Sequence, residues 1–369
     1  MGRKNQPPST SGLKFRTGTE KTESKGMKPP PEPTTINEVL LFILQHVCRK
    51  LVFINTFYRV IYYLSMIFLV SIVVDFIPAP KISAARKDNF FNQYFVKVGW
   101  GWTLLILLPF VSVTSFVYCC GKRSKILQHV MRLAIATGFW LIWTNAFNYI
   151  ESIYGRCNVR DEKLQTKSVC LGRGFFWQSV DISGHCFLLI YSTLVMIEEA
   201  RVITNWEGIT DYIRDEEFAR NSEENTGYRA NPLKNLDNDE FKVLKNAFPK
   251  MTPFVRSLFI LLTLLIIIWE CMLLGTVFYY HSMLEKFLAA LTAVSTWYVT
   301  YYVWFPYSNI PPYLPGDGCF RYIDSKPKEP VVKKRQPQTK QPKVGPTFMG
   351  MPIRRPQEDR TAQPDSNHN

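Results

Sequence analysis

Two stretches of the chain, Val98–Cys120 and Leu133–Ile150, contain no charged side chain. Each is long enough to cross about 30 Å of hydrocarbon at about 1.5 Å per helical residue. The same apolar pattern, read along the whole chain, gives six segments: Phe57–Ile77, Val98–Cys120, Val130–Ile150, Ile182–Ile203, Phe254–Tyr280 and Phe287–Phe305. Lipid offers no partner for backbone N–H and C=O groups, so spans of this kind must be helices. The expected fold is an all-α integral membrane protein, a six-transmembrane helical bundle. Its fourth span is the least regular, opening on Asp181, Ser183 and His185 and closing on Glu198, Glu199 and Arg201. Ile36–Asn55 mixes apolar residues with Arg49 and Lys50 and reads as an amphipathic helix lying in the interface.

The polar remainder is concentrated at the ends. Residues 1–37 read as a disordered N-terminal tail, 38–310 as the membrane domain, and 311–369 as a basic, Pro-rich disordered tail. The chain has 44 Lys+Arg against 30 Asp+Glu in 369 residues, a formal charge of +14, with 47% hydrophobic residues. That content excludes a wholly disordered chain, and the length excludes a disulfide mini-protein. The basic run at Lys333, Lys334 and Arg335 has no interleaved aromatics, so anionic lipid headgroups are the expected partner and nucleic acid is not.

An even number of crossings puts both termini on one side. The loop Gly121–Arg132 carries Lys122, Arg123, Lys125 and Arg132 and no acid, which favours cytosol. The loop Pro78–Lys97 votes the other way, with Lys81, Arg86, Lys87 and Lys97. The basic N-terminal tail lacks the features of a secretory signal and decides for cytosolic termini. Glu151–Trp177 and His281–Lys286 then face the lumenal or outer side. Cys157 and Cys170 fall in the first of these, where an oxidising compartment permits a disulfide; two free thiols are the alternative.

Ionisable groups at span ends mark candidate chemistry. The fourth span runs away from one face and the fifth returns to it, so His185 and His281 share that face whatever the absolute orientation. If the helix continues past Tyr280, His281 and Glu285 are four apart on one side, and the carboxylate can hold one ring nitrogen while the other attacks. His185 follows Ser183 and Gly184 at a helix start, where free backbone N–H groups and the dipole favour a phosphate. A nucleophilic imidazole and a protonated one can split a phosphoanhydride through a phosphohistidine. Asp181 belongs to the same polar sequence. Lys97, Arg86, Lys87, Arg156 and Arg173 put positive charge on that face. Asn145, Asn148 and Glu151 form a polar stripe on the third span, and Glu270 lies about 16 Å below His281, as a cavity floor or a structural partner within the bundle. Two His and one Glu without clustered spacing give no metal site, and no cofactor is implied; a divalent-cation requirement stays open.

Ser183-Gly184-His185 followed by His281-x-x-x-Glu285 resembles the second and third signatures of the lipid phosphatases related to type-2 phosphatidic acid phosphatase. That resemblance implies His281 as nucleophile, Glu285 as its orienter and His185 as general acid. The first signature and the Ser-Arg lead of the third are absent, and Glu stands where Asp is usual. The runs Asn92–Thr103, Asp181–Leu189 and His281–Lys286 are similar to the fat storage-inducing transmembrane protein family over roughly Val39 to Pro311. This second resemblance implies an endoplasmic reticulum protein that supports lipid droplet formation. It also implies lumenal cleavage of fatty acyl-coenzyme A at its diphosphate, giving acyl 4′-phosphopantetheine and adenosine 3′,5′-bisphosphate. The substrate-binding set expected beside the catalytic residues is Ser183, Gly184, Lys97 and Asp181. The competing reading is a non-catalytic binder of di- and triacylglycerol.

Overall fold

The computed structural model describes residues 36–77, 98–159, 166–221, 231–307, 311–323, 347–348 and 351–352. The chain divides into two units, Met1–Ser325 and Lys326–Asn369. Among its described residues the second holds an antiparallel pairing of β3 (Thr347–Phe348) with β4 (Met351–Pro352).

The first unit is helical. Its elements in order are α1 (Ile36–Val52), α2 (Thr56–Phe76), α3 (Gly99–Tyr118), α4 (Arg123–Tyr154), β1 (Arg156–Cys157), α5 (Lys167–Gly172), β2 (Trp177–Gln178), α6 (Gly184–Ala200), α7 (Gly208–Asn221), α8 (Asn238–Tyr279) and α9 (Met283–Tyr298), the last continued by a π-helical turn, Val299–Trp304. Four of these helices, α2, α3, α4 and α8, are each long and apolar enough to cross a membrane. The other two expected spans fall on α6, with 17 residues, and α9, with 16 before its π turn.

α6 also differs from the longer helices in its position. Every residue of α6 from Cys186 to Ala200 is buried, and α3, α4, α8 and α9 surround it. Phe57, Leu69, Leu105, Phe254 and Leu264 of the outer helices are exposed instead, as expected where the solvent is lipid. A column of rings fills the gap between α3, α4 and α6: Trp100 stacks on Trp140 and Tyr191 at 5.9 and 5.7 Å, and Tyr191 on Phe187 at 5.4 Å. Gly99 allows the approach, since a Cβ there would meet Leu188 at 2.8 Å. Trp100 Nε1 donates to Thr137 Oγ1 at 3.1 Å and Trp269 Nε1 to Thr103 Oγ1 at 3.2 Å, so these buried indoles are satisfied.

Charged side chains are paired inside the bundle. Arg132 donates to both carboxylate oxygens of Glu199, at 2.7 and 2.6 Å, and to the carbonyl of Tyr313 at 2.7 Å, while Tyr301 Oη donates to Glu199 at 2.8 Å. Glu270 accepts from Arg59 at 2.9 Å and from Tyr63. Of the two roles expected for Glu270, the contacts are those of a structural partner, made to α2.

Residues 311–323, placed in the tail by the sequence reading, return along the bundle. Lys125 Nζ donates to Gly318 O at 3.1 Å, Cys319 N to Tyr118 O at 2.9 Å, and Tyr322 Oη to Val202 O at 2.7 Å. Phe320 and Tyr322 are buried.

Candidate active site

The turn between α8 and α9 differs from the continuous helix that the sequence spacing assumed. α8 ends at Tyr279, Tyr280 is extended, and His281 adopts φ +59°, a left-handed conformation in which His is more frequent than most side chains. Ser282 then caps α9, and Glu285 in the first turn turns back to accept the Ser282 N–H at 2.9 Å. His281 and Glu285 therefore meet across a helix break rather than on one helix face. A capping interaction, not helical periodicity, brings the two side chains within 3.7 Å.

The second oxygen of Glu285 accepts the backbone N–H of Asp181 at 3.0 Å, and Glu285 O accepts that of Ser183 at 3.4 Å. The lead-in to α6 is thus stitched to the first turn of α9. Ser183 is the N-cap of α6, accepting the Cys186 N–H at 3.2 Å, so Gly184 and His185 occupy its first two positions. His185 is half-buried there. Gly184 faces open space, so its lack of a side chain is not demanded by packing. Cys186 Sγ donates to Lys286 O at 3.5 Å, a third hydrogen bond between the segments that carry His185 and His281.

Two carboxylates flank His281. Its Nδ1 lies 3.7 Å from Asp181 Oδ2 and 3.7 Å from Glu285 Oε2. Both Glu285 oxygens are engaged by backbone amides, which gives Glu285 a scaffolding role as well as an electrostatic one. Burial, reinforced by the carboxylates of Glu151 and Glu285 and opposed by His281, holds the Asp181 carboxyl above its ordinary range. Asp181, expected as a substrate contact, stands here as a partner of the His281 ring.

The loop before Asp181 is folded on the end of α4. A disulfide joins Cys157 to Cys170, deciding between the two alternatives left open by the sequence. β1 pairs with β2 in the register Arg156↔Gln178 and Cys157↔Trp177. Glu151 accepts from Lys167 at 2.5 Å and from Ser179 Oγ at 3.5 Å. Asn145 donates to Leu141 O of its own helix at 2.7 Å and is exposed with Asn148, so of the polar stripe it is Glu151 that reaches the site loop.

Lys97, Arg86 and Lys87 lie outside the described residues. Among the described residues no group of three or more His, Cys, Asp and Glu is placed to hold a metal ion. Two residues that the sequence reading passed over stand at the turn. Asp75 Oδ2 accepts the Met283 N–H at 3.1 Å, and Lys286 Nζ, with its residue 1% exposed, donates to Val277 O at 2.8 Å. Their signal in the sequence is faint: each is an ionisable residue at the end of an apolar span on the face that carries both histidines.

The family model for the fat storage-inducing transmembrane protein matches residues 81–159 and 156–301, which takes in both halves of this geometry. The chain belongs to the fat storage-inducing transmembrane protein family. It is 44% identical over 321 residues to a protein of Drosophila melanogaster named acyl-coenzyme A diphosphatase FITM2, with 85% of this chain and 75% of that one covered. It is 31% identical over 256 residues to the protein of that name in Homo sapiens, covering 68% and 82%. The corresponding Caenorhabditis elegans protein is 27% identical over 281 residues, covering 76% and 90%. No solved structure matches the chain.

Proposed function

We propose that this family member is a hydrolase of the endoplasmic reticulum membrane that cleaves fatty acyl-coenzyme A at its diphosphate. The products are acyl 4′-phosphopantetheine and adenosine 3′,5′-bisphosphate, and the activity supports lipid droplet formation and reticulum structure. The observation that carries the reading is the His281 ring flanked by Asp181 and Glu285, beside the N-terminus of the helix that bears His185. The names of the relatives supply the substrate.

His281 is the nucleophile. The carboxylates of Asp181 and Glu285 face Nδ1 at 3.7 Å and favour the tautomer that keeps the Nε2 lone pair for phosphorus. Attack forms an N–P bond as the bridging P–O bond breaks, and His185 donates a proton to the departing oxygen. Water then cleaves the N–P bond, with His185 taking a proton from it, and the ring is restored. Ser183 fixes the start of α6, where the N–H groups of Gly184 and His185 meet phosphate oxygens, and Lys97 adds a counter-charge. The apolar acyl chain stays in lipid while the diphosphate reaches the membrane edge.

The bundle crosses the membrane six times, with both termini cytosolic and the site lumenal. The disulfide Cys157–Cys170 at the site end of α4 supports this orientation, since a bridge persists in an oxidising compartment. Cys119, Cys120 and Cys319, gathered at the opposite end of that helix, are free thiols.

The test is purified full-length protein given a long-chain acyl-coenzyme A, with adenosine 3′,5′-bisphosphate measured by mass spectrometry. Wild type releases it, and His281→Asn and His185→Asn each lose at least about 10³-fold. No release by wild type, or equal release by His281→Asn, rejects the hydrolase. A chain that only bound di- or triacylglycerol gives that silent result while still retaining neutral lipid.

A further inference from the structure

Lys286 is a lysine with no place in the chemistry above, yet it is 1% exposed. An ammonium that deep must be hydrogen-bonded, and Nζ spends a donor on Val277 O at 2.8 Å. Val277 lies in the last turn of α8, whose carbonyls have no partner within the helix. The backbone carbonyl of Lys286 meanwhile accepts the thiol of Cys186, the residue after His185. One residue of α9 therefore grips the end of α8, which leads into His281, and the start of α6, which carries His185. Asp75 of α2 completes the grip, accepting the N–H of Met283, an orphan donor in the first turn of α9. Between these attachments lies His281 in a left-handed conformation that most side chains avoid, and which persists only when its surroundings impose it.

We propose that Lys286 and Asp75 are positioning residues that hold the His281 turn closed, so that the ring stays in line with the phosphorus it attacks. The proposal rests on His281 being the nucleophile. Attack geometry is unforgiving of displacements of about 1 Å, so the clamp acts on the chemical step rather than on substrate affinity.

The experiment uses the full chain in lipid nanodiscs with a long-chain acyl-coenzyme A, well below each variant's unfolding midpoint. Lys286→Met, which has no donor for Val277 O, lowers kcat by about 30-fold with KM held within about threefold. Lys286→Gln keeps a donor and recovers part of the loss. Asp75→Asn keeps an acceptor for the Met283 N–H and stays within about threefold of wild type, whereas Asp75→Leu falls by about tenfold or more. If the Lys286 variants do not fold, the Asp75 pair decides. An active wild type with unchanged kcat in Lys286→Met or Asp75→Leu overturns the clamp. So does a loss confined to KM, or an Asp75→Asn variant as impaired as Asp75→Leu. A silent wild type, by contrast, overturns the hydrolase reading and the clamp with it.

Discussion

The Glu285 carboxylate accepts the backbone N–H of Asp181 at 3.0 Å, across 104 residues of sequence. Its other oxygen holds the N–H of Ser282 at 2.9 Å. Glu285→Ala releases both segments at once and is expected to lower kcat by about 10²-fold, the scale of a misplaced reacting group. Glu285→Gln keeps one acceptor and is expected to fall between this variant and wild type. Steady-state release of adenosine 3′,5′-bisphosphate measures both, and wild-type kcat in Glu285→Ala contradicts the scaffold role.

Asp181 gives a pH signature. Its carboxyl is raised from an ordinary value of 3.8, chiefly by burial. An acid with a raised folded-state pKa favours folding while protonated, and that advantage disappears as pH rises through the raised value. Asp181→Asn mimics the protonated form. Its melting temperature is therefore expected to match wild type near pH 4 and to exceed it at pH 7. A difference independent of pH in that range contradicts the assignment.

Arg132 and Glu199 are 0% and 1% exposed at their side chains. Removing one partner strands the other, so Arg132→Met is expected to cost about 3–5 kcal/mol. Replacing both, in Arg132→Met with Glu199→Met, is expected to cost less than that single change. Unfolding in detergent, read against the two single variants, checks the order.

Cys157 and Cys170 are 13 positions apart, a loop closure for which chain entropy gives about 3 kcal/mol of stabilisation. Cys170→Ser is expected to lower the melting temperature and to slow release by less than tenfold, or about 1.4 kcal/mol, since Glu285 still holds Asp181. Gly155→Ala acts on the same loop by steric means, because its Cβ would lie 2.1 Å from Trp177 Nε1. Unchanged melting in both variants contradicts the account.

What the sequence disclosed follows the solvent each segment meets. The spans carried by α2, α3 and α8 are legible because lipid demands a continuous apolar surface, and Phe57–Ile77 falls within one residue of α2 at each end. The span on α6 is irregular because protein, not lipid, surrounds it, and Ser192, Thr193, Glu198 and Glu199 are tolerated where neighbouring helices supply the packing or partners. At the site, the histidine spacing is visible in the sequence while the left-handed His281 is not, since a positive φ at a non-glycine residue has no pattern of its own. Asp75 and Met283 are 208 residues apart, a pairing that only the fold creates. Residues 311–323 escape notice for a different reason: Tyr313 and Gly318 bind the bundle through carbonyls and Cys319 through an amide, and such contacts do not alter composition.

α8 runs for 42 residues, about 63 Å, with His281 two positions past its end. About half of that length suffices to cross hydrocarbon. The remainder is packed, with Phe241, Leu244 and Phe248 buried and Asn238 Oδ1 accepting from Arg220 at 2.8 Å, so the helix that ends beside His281 is held at its far end as well.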